Sequence, residues 1–236
     1  MTKFLAVISG KGGTGKTTTL LNLSHILTLQ GKKVLALDAN FATPNLALHL
    51  GLIYPSATLN DFLERRKNIT EVIQTHSSGI KFIPSSHFYS DFKPSHSEKL
   101  VEVFEHLENL FDYVLVDCPA GLGPELSQIL NYTDEALIVV NPHLSSLIDA
   151  VKAIELAHEK NNSLPGFILN MALGGKHELK VKEIENTLNI PLLGNIPYDK
   201  KVKKALHQHV PSHFLYPHSK SSKQYLKIAT DLFGEK

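Results

Sequence analysis

A short segment that combines several glycines with two lysines has the residue types needed to hold a charged ligand. It follows the apolar run 4–8 and precedes a segment with a helical pattern. Gly10, Gly15, Lys16 and Thr17 fit the phosphate-binding pattern of Gly, four residues, Gly, Lys and Ser or Thr. The inward-facing N–H groups of such a loop, and the positive N-terminal end of the following helix, favour a polyphosphate. The candidate binding residues are Gly10, Lys11, Gly12, Gly13, Thr14, Gly15, Lys16, Thr17 and Thr18.

The two lysines of this segment have different expected tasks. Lys16 is expected to reach the terminal phosphates of a nucleoside triphosphate, and the Thr17 hydroxyl is expected to bind Mg²⁺. The loop needs only one lysine to neutralise charge in its own pocket, so the second lysine, Lys11, indicates another role. A glycine-rich turn without any ligand is the alternative, and the complete strand–loop–helix pattern disfavours it.

Two aspartates stand at the ends of apolar runs and are candidates for the metal site. Asp117 follows the run 113–116, which is how a buried strand delivers a carboxylate to a Mg²⁺-bound water. Asp38 follows the run 34–37 and is a second candidate for the outer coordination shell of the metal. Gly121, shortly after Asp117, can bring a backbone N–H close to a γ-phosphate and move when that phosphate leaves.

The apolar runs and helical patterns alternate along the chain, which predicts an α/β fold. Most runs are continuously apolar, as in parallel strands that are covered on both faces. The expected architecture is a mostly parallel, twisted sheet of about seven or eight strands with helices on both faces, in one domain spanning 1–236. The predicted strands are 4–8, 33–37, 80–83, 113–116, 136–140, 166–169 and 192–196, and the predicted helices are 16–30, 95–110, 145–159, 178–188 and 220–233.

The composition is that of an ordinary globular protein. Hydrophobic residues make up 42% and charged residues 20% of the chain, and the formal net charge is +1. Nucleic acid or an anionic membrane would therefore have to bind through a local patch. The single cysteine, Cys118, excludes an intrachain disulfide and a metal cluster built from cysteines. The absence of a secretion signal before the first apolar run favours a cytoplasmic location.

Three features of the second half leave alternatives open. His207, His209, His213 and His218 could bind a transition metal or could belong to a solvated loop. The basic run 200–204 could contact DNA phosphates or could be the solvated face of a short helix. The C-terminal segment has one apolar stripe, but Asp231 and Glu235 make a membrane-binding helix doubtful and favour packing on the core. The stripe consists of Tyr225, Leu226, Ala229, Leu232 and Phe233.

The phosphate-binding segment resembles the deviant Walker A loop of the MinD/ParA superfamily, with Lys11 at its signature-lysine position. Further segments are similar to MinD-type members from residue 4 to beyond residue 204. These are 38–40 with 44–46, the switch II segment 117–121, and 141–149. The resemblance implies a P-loop ATPase that uses ATP and Mg²⁺, in which two subunits enclose two ATP molecules and Lys11 reaches the partner's phosphates.

The resemblance also implies an adenine site. Asn170 follows a strand like the adenine-reading asparagine, whose amide suits the N6 and N7 atoms of the base, although a loop-capping role is the alternative. Pro197, Tyr198 and Asp199 resemble the adenine-flanking loop.

Asn40 departs from the family pattern, which usually has an aspartate that orients the attacking water. An asparagine can position the water but supplies no negative charge to stabilise the charge that develops on it. Hydrolysis is therefore expected to be slow unless another group helps, and Asn40 is kept as a catalytic candidate with Lys11 and Lys16. A simple turn residue beside Asp38 is the alternative.

These observations favour a MinD-like, Mg²⁺-dependent ATPase that works as an ATP-switched homodimer. Its output would be the positioning of a division site, a flagellum or a similar cargo, through a protein partner that the sequence does not identify. The alternatives are a nucleotide-gated binding module that barely hydrolyses ATP, and a ParA-like partition ATPase that associates with DNA. Biosynthetic enzymes of the superfamily are disfavoured, partly because of Lys11.

Overall fold

The computed structural model describes residues 1–234, and it contains one sheet of eight strands in the order β3-β4-β2-β5-β1-β6-β7-β8. All neighbouring strands are parallel except β3 and β4, which are antiparallel. The predicted α/β class and the mostly parallel sheet are thus confirmed. The strands are β1 (Lys3–Ile8), β2 (Val34–Asp38), β3 (Gln74–Thr75), β4 (Lys81–Ile83), β5 (Tyr113–Asp117), β6 (Glu135–Val140), β7 (Phe167–Ala172) and β8 (Leu192–Pro197).

Helices cover both faces of the sheet and create two apolar layers. Along β1, Phe4, Ala6 and Ile8 belong to one layer, whereas Leu5 and Val7 belong to the other, because successive strand residues point to opposite faces. Both faces are buried, which explains why the strands are continuously apolar. The helices are α1 (Lys16–Leu29), α2 (Leu46–His49), α3 (Leu59–Leu63), α4 (Ile69–Val72), α5 (Leu100–Leu107), α6 (Pro124–Leu130), α7 (Leu144–Glu159), α8 (Val181–Leu188), α9 (Lys200–His207), α10 (Ser212–Leu215) and α11 (Lys220–Phe233).

The long helices follow their predictions, with one clear exception. The helix predicted over 95–110 is shorter at both ends, since α5 covers only Leu100–Leu107. A separate 3₁₀ turn, Pro94–His96, precedes it, and the His96 ring is tied to the Asn60 amide at 3.2 Å. At the other end Asn109 has a φ of 63°, which ends the helix. Tertiary contacts and a left-handed residue therefore override the helical pattern there.

The C-terminal helix α11 packs against the sheet and α1, as its apolar pattern predicts. Tyr225, Ala229 and Phe233 are buried in the same layer as Ile228. Leu226 was assigned to the apolar stripe but is 41% exposed, because it lies on the outer side of the helix. Glu235, used in the argument against membrane binding, lies outside the described residues. No helix within residues 1–234 has the length and apolar character needed to cross a membrane.

Candidate nucleotide-binding site

The glycine-rich segment joins β1 to α1 at the carboxyl edge of the sheet. Gly13 and Gly15 have φ values of 78° and 95°, which glycine adopts without strain. Gly15 also precedes the first residue of α1, and a Cβ there would overlap the Asn170 amide. A Cβ on Gly10 would overlap Asp149 of α7. These close contacts with α7 and with Asn170 therefore require glycine at both positions. They also hold the loop against the carboxyl edge of the sheet.

The two lysines of the loop have different surroundings. The Lys16 side chain is buried, and its Nζ donates to the Ser9 hydroxyl at 3.0 Å. Burial lowers the pKa of Lys16, and the nearby Asp117 partly offsets this effect. The Lys11 Nζ instead reaches across the surface and donates to the Ser145 hydroxyl at the start of α7, also at 3.0 Å. Lys16 is thus held inside the loop, whereas Lys11 is held outside it.

Asp117 and Asp38 lie side by side, because β5 and β2 are neighbours with these residues in register. The Thr17 hydroxyl donates to Asp117 Oδ2 at 2.6 Å. The other oxygen, Oδ1, is buried and has no hydrogen-bond partner within residues 1–234. Burial raises the pKa of Asp117 to about 6, and burial together with Asp117 raises the pKa of Asp38 well above its ordinary value. A free buried oxygen beside a second carboxylate and a threonine hydroxyl is a donor set that suits Mg²⁺.

Asp38 also shapes the segment that follows β2. Its Oδ1 accepts the N–H of Asn40 at 3.1 Å, and its Oδ2 accepts the N–H groups of Asn45 and Leu46 at 3.2 and 3.1 Å. These three bonds turn the chain from the strand into α2. The hydrogen bonds of Asp38 are explained by this turn alone. Its expected role in the outer coordination shell of the metal therefore stays a prediction.

Asn40 forms a closed arrangement with Thr43. Its Nδ2 donates to the Thr43 carbonyl at 2.7 Å, and its Oδ1 accepts the Thr43 N–H at 3.2 Å. The residue nevertheless contributes to the wall of the phosphate-side cavity described below. These hydrogen bonds give Asn40 the turn role that the sequence offered as an alternative. Its role in positioning the attacking water stays a prediction.

Two cavities adjoin at Thr18 and Met171. The first has a volume of about 340 Å³ and is bounded by the glycine-rich loop, the segment after β2 and the segment after β5. We call it the phosphate-side cavity. Its lining residues are Gly12, Gly13, Gly15, Lys16, Thr17, Thr18, Asn40, Thr43, Asn45, His49, Cys118, Ala120 and Met171.

The second cavity is smaller and less polar, with a volume of about 140 Å³. We call it the base-side cavity, and it brings together the predicted Asn170, Pro197, Tyr198 and Asp199. Asp199 begins α9, where its Oδ1 accepts the Lys201 N–H at 2.9 Å. The full lining is Thr18, Asn170, Met171, Ile196, Pro197, Tyr198, Asp199, Val202, Lys203, Leu206 and Tyr225.

Asn170 connects the base-side cavity to the glycine-rich loop. Its Nδ2 donates to the Thr14 carbonyl at 2.7 Å, and its own carbonyl accepts from Asn141 Nδ2 at 3.0 Å. Sequence reasoning gave Asn141 no role of its own in the site. Its signal is the same as that of Asn170, a polar residue directly after a continuously apolar run of the sequence. Both side chains brace the loop from the neighbouring strand ends.

Some predicted residues lie beside the cavities rather than in their walls. Neither cavity lining includes Gly10, Lys11 or Thr14, or the metal candidates Asp38 and Asp117, which lie beneath the Thr17 wall. Gly121 is outside both linings as well, and its φ of 88° is a conformation that glycine adopts freely. The sequence reasoning did not assign six residues of the phosphate-side wall to the site, namely Thr43, Asn45, His49, Cys118, Ala120 and Met171.

The histidines near the C-terminus are the candidates for a transition-metal site. Within residues 1–234 there is no group of three or more His, Cys, Asp or Glu side chains that could hold a metal ion. His213 instead packs against the ring of His25, with 5.5 Å between ring centroids. The basic run lies on the short helix α9, where Lys200, Lys201, Lys203 and Lys204 are exposed. This agrees with a solvated helical face.

A strand–loop–helix phosphate site on a parallel sheet, followed by a carboxylate at the end of a neighbouring strand, defines the class of P-loop NTPases. The ParA family model, described as an NUBPL iron-transfer P-loop NTPase, matches residues 1–233. The chain therefore belongs to the ParA family of P-loop NTPases, whose members include ATPases, and the resemblance found from the motifs is confirmed.

Individual relatives place the chain near MinD. It is 38% identical to an uncharacterised ATP-binding protein of Methanocaldococcus jannaschii, over 98% of this chain and 88% of the relative. The structure matches the cell division ATPase MinD of Pyrococcus furiosus with a TM-score of 0.93 and 33% identity, over 98% of each chain. It also matches the septum site-determining protein MinD of Pyrococcus horikoshii, solved with Mg-ADP, with a TM-score of 0.93 and 31% identity over 99% and 96% of the two chains.

Proposed function

We propose that this protein is a MinD-like ATPase that binds ATP with Mg²⁺ and associates into a homodimer when ATP is bound. The observation that carries the proposal is that Lys16 and Thr17 line the phosphate-side cavity together, with Asp117 directly beneath Thr17. Lys16 is the buried cation that would bind the terminal phosphates. The dimer would position a cell structure, such as the division site or a flagellum, through a protein partner.

The donor set around Thr17 supports the use of Mg²⁺. Thr17 Oγ1 and the free Oδ1 of Asp117 would hold the ion or its water, with Asp38 behind them. Two buried carboxylates with raised pKa values are relieved by a cation, so the site gains stability from one. When bound, Mg²⁺ neutralises charge on the phosphate oxygens. Lys16 adds its own charge without moving far from Ser9.

The base-side cavity supports adenine binding. Pro197 and Tyr198 give it flat apolar walls, and Asn170 supplies an amide at the end adjoining the loop. Asp199 holds the start of α9 and accepts from the Ser221 hydroxyl at 3.0 Å, which ties this wall to α11. A base that enters beside Thr18 would leave its phosphates in the adjoining cavity.

The position of Lys11 supports the dimer. Its ammonium group lies on the surface at Ser145, and the flanking residues Leu144 and Ile148 of α7 are 62% and 49% exposed. A half-buried lysine on a surface that also exposes two large apolar side chains fits an interface better than free solvent. Moving Lys11 from Ser145 to a partner's phosphates would exchange a neutral hydrogen bond for a charge-assisted one.

A nucleotide-gated binding module that scarcely hydrolyses ATP is the second candidate, and Asn40 is the observation that favours it. A neutral residue at this position supplies no charge to the attacking water. Steady-state turnover separates the two candidates, since both require ATP binding. ParA-like association with DNA through the exposed lysines of α9 is a further alternative, and a filter-binding assay at two salt concentrations would detect it.

The cysteine content of this chain does not fit the iron-transfer activity named in the family description. Carriers of iron–sulfur clusters use several cysteines as ligands. This chain has one, Cys118, which is 1% exposed.

Light scattering in Mg²⁺ with a non-hydrolysable ATP analogue tests the proposed dimer. The parent protein is expected to double its mass, and Lys11→Ala should bind the analogue and stay monomeric. Ser145→Ala is the matched control, because it removes the resting contact of Lys11 and keeps the lysine. That variant should dimerise like the parent. If Lys11→Ala dimerises as well as the parent, the proposed dimer is wrong.

A further inference from the structure

His49 lies in the wall of the phosphate-side cavity and has no role in the function proposed above. It is the last residue of α2 and is half-buried. The same cavity is lined by Lys16 and Thr17, the residues expected to bind phosphates and metal. An ionisable ring in this wall stands where a polyphosphate would bring negative charge.

A hydrogen bond determines which ring nitrogen of His49 changes its protonation. Nδ1 lies 2.8 Å from the carbonyl oxygen of Asn45, one turn earlier. A carbonyl only accepts, so Nδ1 carries a hydrogen and donates it. In the neutral ring Nε2 therefore has the free electron pair. A proton gained by His49 must bind at Nε2.

The surroundings of His49 lower the pKa of its ring in the protein without ligand and so favour its neutral form. Burial lowers its pKa most strongly, His209 lowers it further, and the bond to the Asn45 carbonyl raises it. His209 stands behind α2, where its Nδ1 is 3.3 Å from the Leu48 carbonyl. Two other titratable groups line the cavity, Lys16 on α1 and Cys118 after β5. Two carboxylates lie behind the wall: Asp38, whose Oδ2 accepts the first N–H of α2, and Asp117, which accepts from the Thr17 hydroxyl.

We propose that His49 takes up a proton when the polyphosphate of a nucleotide enters the cavity, and then donates Nε2–H to a phosphate oxygen. The proton comes from solvent, and no covalent bond changes. A nearby anion favours the charged form of histidine, so binding and protonation support each other. The bond formed is charge-assisted and shorter than a neutral one. This inference rests on the proposed nucleotide binding and adds proton linkage to it.

The linkage gives nucleotide affinity a pH dependence that requires the ring of His49. Affinity should rise as the pH falls from 8 to 6, by up to about tenfold for each unit by which the phosphates raise the pKa of His49. His49→Gln should lose this rise, because the amide is neutral throughout. Lys16 is present in both proteins, so its contribution cancels when the parent is compared with His49→Gln.

Calorimetry with MgADP at pH 6.5, in two buffers of different ionisation enthalpy, measures the protons taken up on binding. MgADP is the probe because it is not hydrolysed. The parent should take up a fraction of a proton, up to one, beyond what His49→Gln takes up. His158→Gln is the matched control, since it removes an exposed histidine of α7 that lines neither cavity and keeps His49 and its neighbours. It should retain the uptake. Equal uptake by the parent and His49→Gln would overturn the inference.

Two further results keep this test independent of the proposed function and of folding. If the parent does not bind MgADP, the proposed function is wrong and the inference falls with it. Binding without proton uptake at His49 overturns the inference alone. If His49→Gln does not fold, a histidine-ring NMR titration of the parent decides. One ring should show a higher pKa with MgADP than without it, and its assignment to a residue other than His49 would contradict the proposal.

Discussion

The glycine-rich loop and the segment after β2 line the same cavity, but they are built in different ways. Polar groups of the loop face the cavity and have few partners: Lys16 contacts Ser9, and Thr17 contacts Asp117. Polar groups of the segment after β2 are bonded to one another. Asp38 holds backbone N–H groups, Asn40 pairs with Thr43, and His49 is bonded to Asn45.

This difference separates two properties of the site. The loop is organised for a ligand, so its residues should determine whether a nucleotide binds. The segment after β2 is organised for its own shape, so a nucleotide must compete with internal hydrogen bonds there. Its residues should therefore affect the rate of hydrolysis and the response to pH more than affinity at neutral pH. Substitutions in each region test this division.

Lys16→Ala gives the largest expected effect on the loop side. Removing a buried charged partner typically costs about 2–5 kcal/mol, so the affinity for MgATP should fall at least about 30-fold, a factor that corresponds to 2 kcal/mol. Isothermal calorimetry measures this directly. Lys182→Ala, an exposed lysine on α8, is the matched control and should bind like the parent. Unchanged affinity in Lys16→Ala would remove the loop from the binding site.

Asp117→Asn tests whether the site is built for a cation at the cost of stability. The folded protein raises the pKa of Asp117 from 3.8 to about 6, so ionisation at neutral pH opposes folding. In metal-free buffer at pH 7.5 the variant should be more stable by on the order of 1–3 kcal/mol.

The pH dependence of that stability difference follows from the sign of the shift. The parent regains stability as the pH falls through 6 toward 4, because the Asp117 carboxylate becomes neutral, and the difference from the variant disappears there. Urea unfolding at several pH values measures it. Asp231→Asn on the exposed side of α11 is the control and should change little. A variant less stable than the parent without Mg²⁺ would show that Asp117 supports the fold.

Asn40→Asp has the smallest expected effect of these substitutions, and it tests the segment after β2. A carboxylate there would stabilise charge on the attacking water, and turnover should rise about tenfold, which requires only about 1.4 kcal/mol at the transition state. The substitution also removes the donor to the Thr43 carbonyl. Asn40→Ala is the control, since it loses the same bond without adding charge and should not be faster. Steady-state rates with no gain in Asn40→Asp would leave Asn40 as a turn residue.

Contiguous patterns in the sequence determined the loop, most of the strands and the long helices. The glycine pattern specifies backbone conformations within a few residues, and buried parallel strands must be apolar on both faces. Both signals are local, so they are readable without the fold. The two-residue strand β3 and short helices such as α2 and α6 have too few residues to carry a period of their own. Tertiary packing sets them instead.

Contacts between distant residues were decided only by the tertiary structure. The strand order places β2 beside β5, and this puts Asp38 next to Asp117, although 78 residues of chain lie between them. In the same way, the resting contact of Lys11 with Ser145 and the place of His49 in the cavity depend on how separate elements pack. No local sequence pattern encodes these contacts between distant residues. They arise because strands and helices from separate parts of the chain pack together to bury both faces of one sheet.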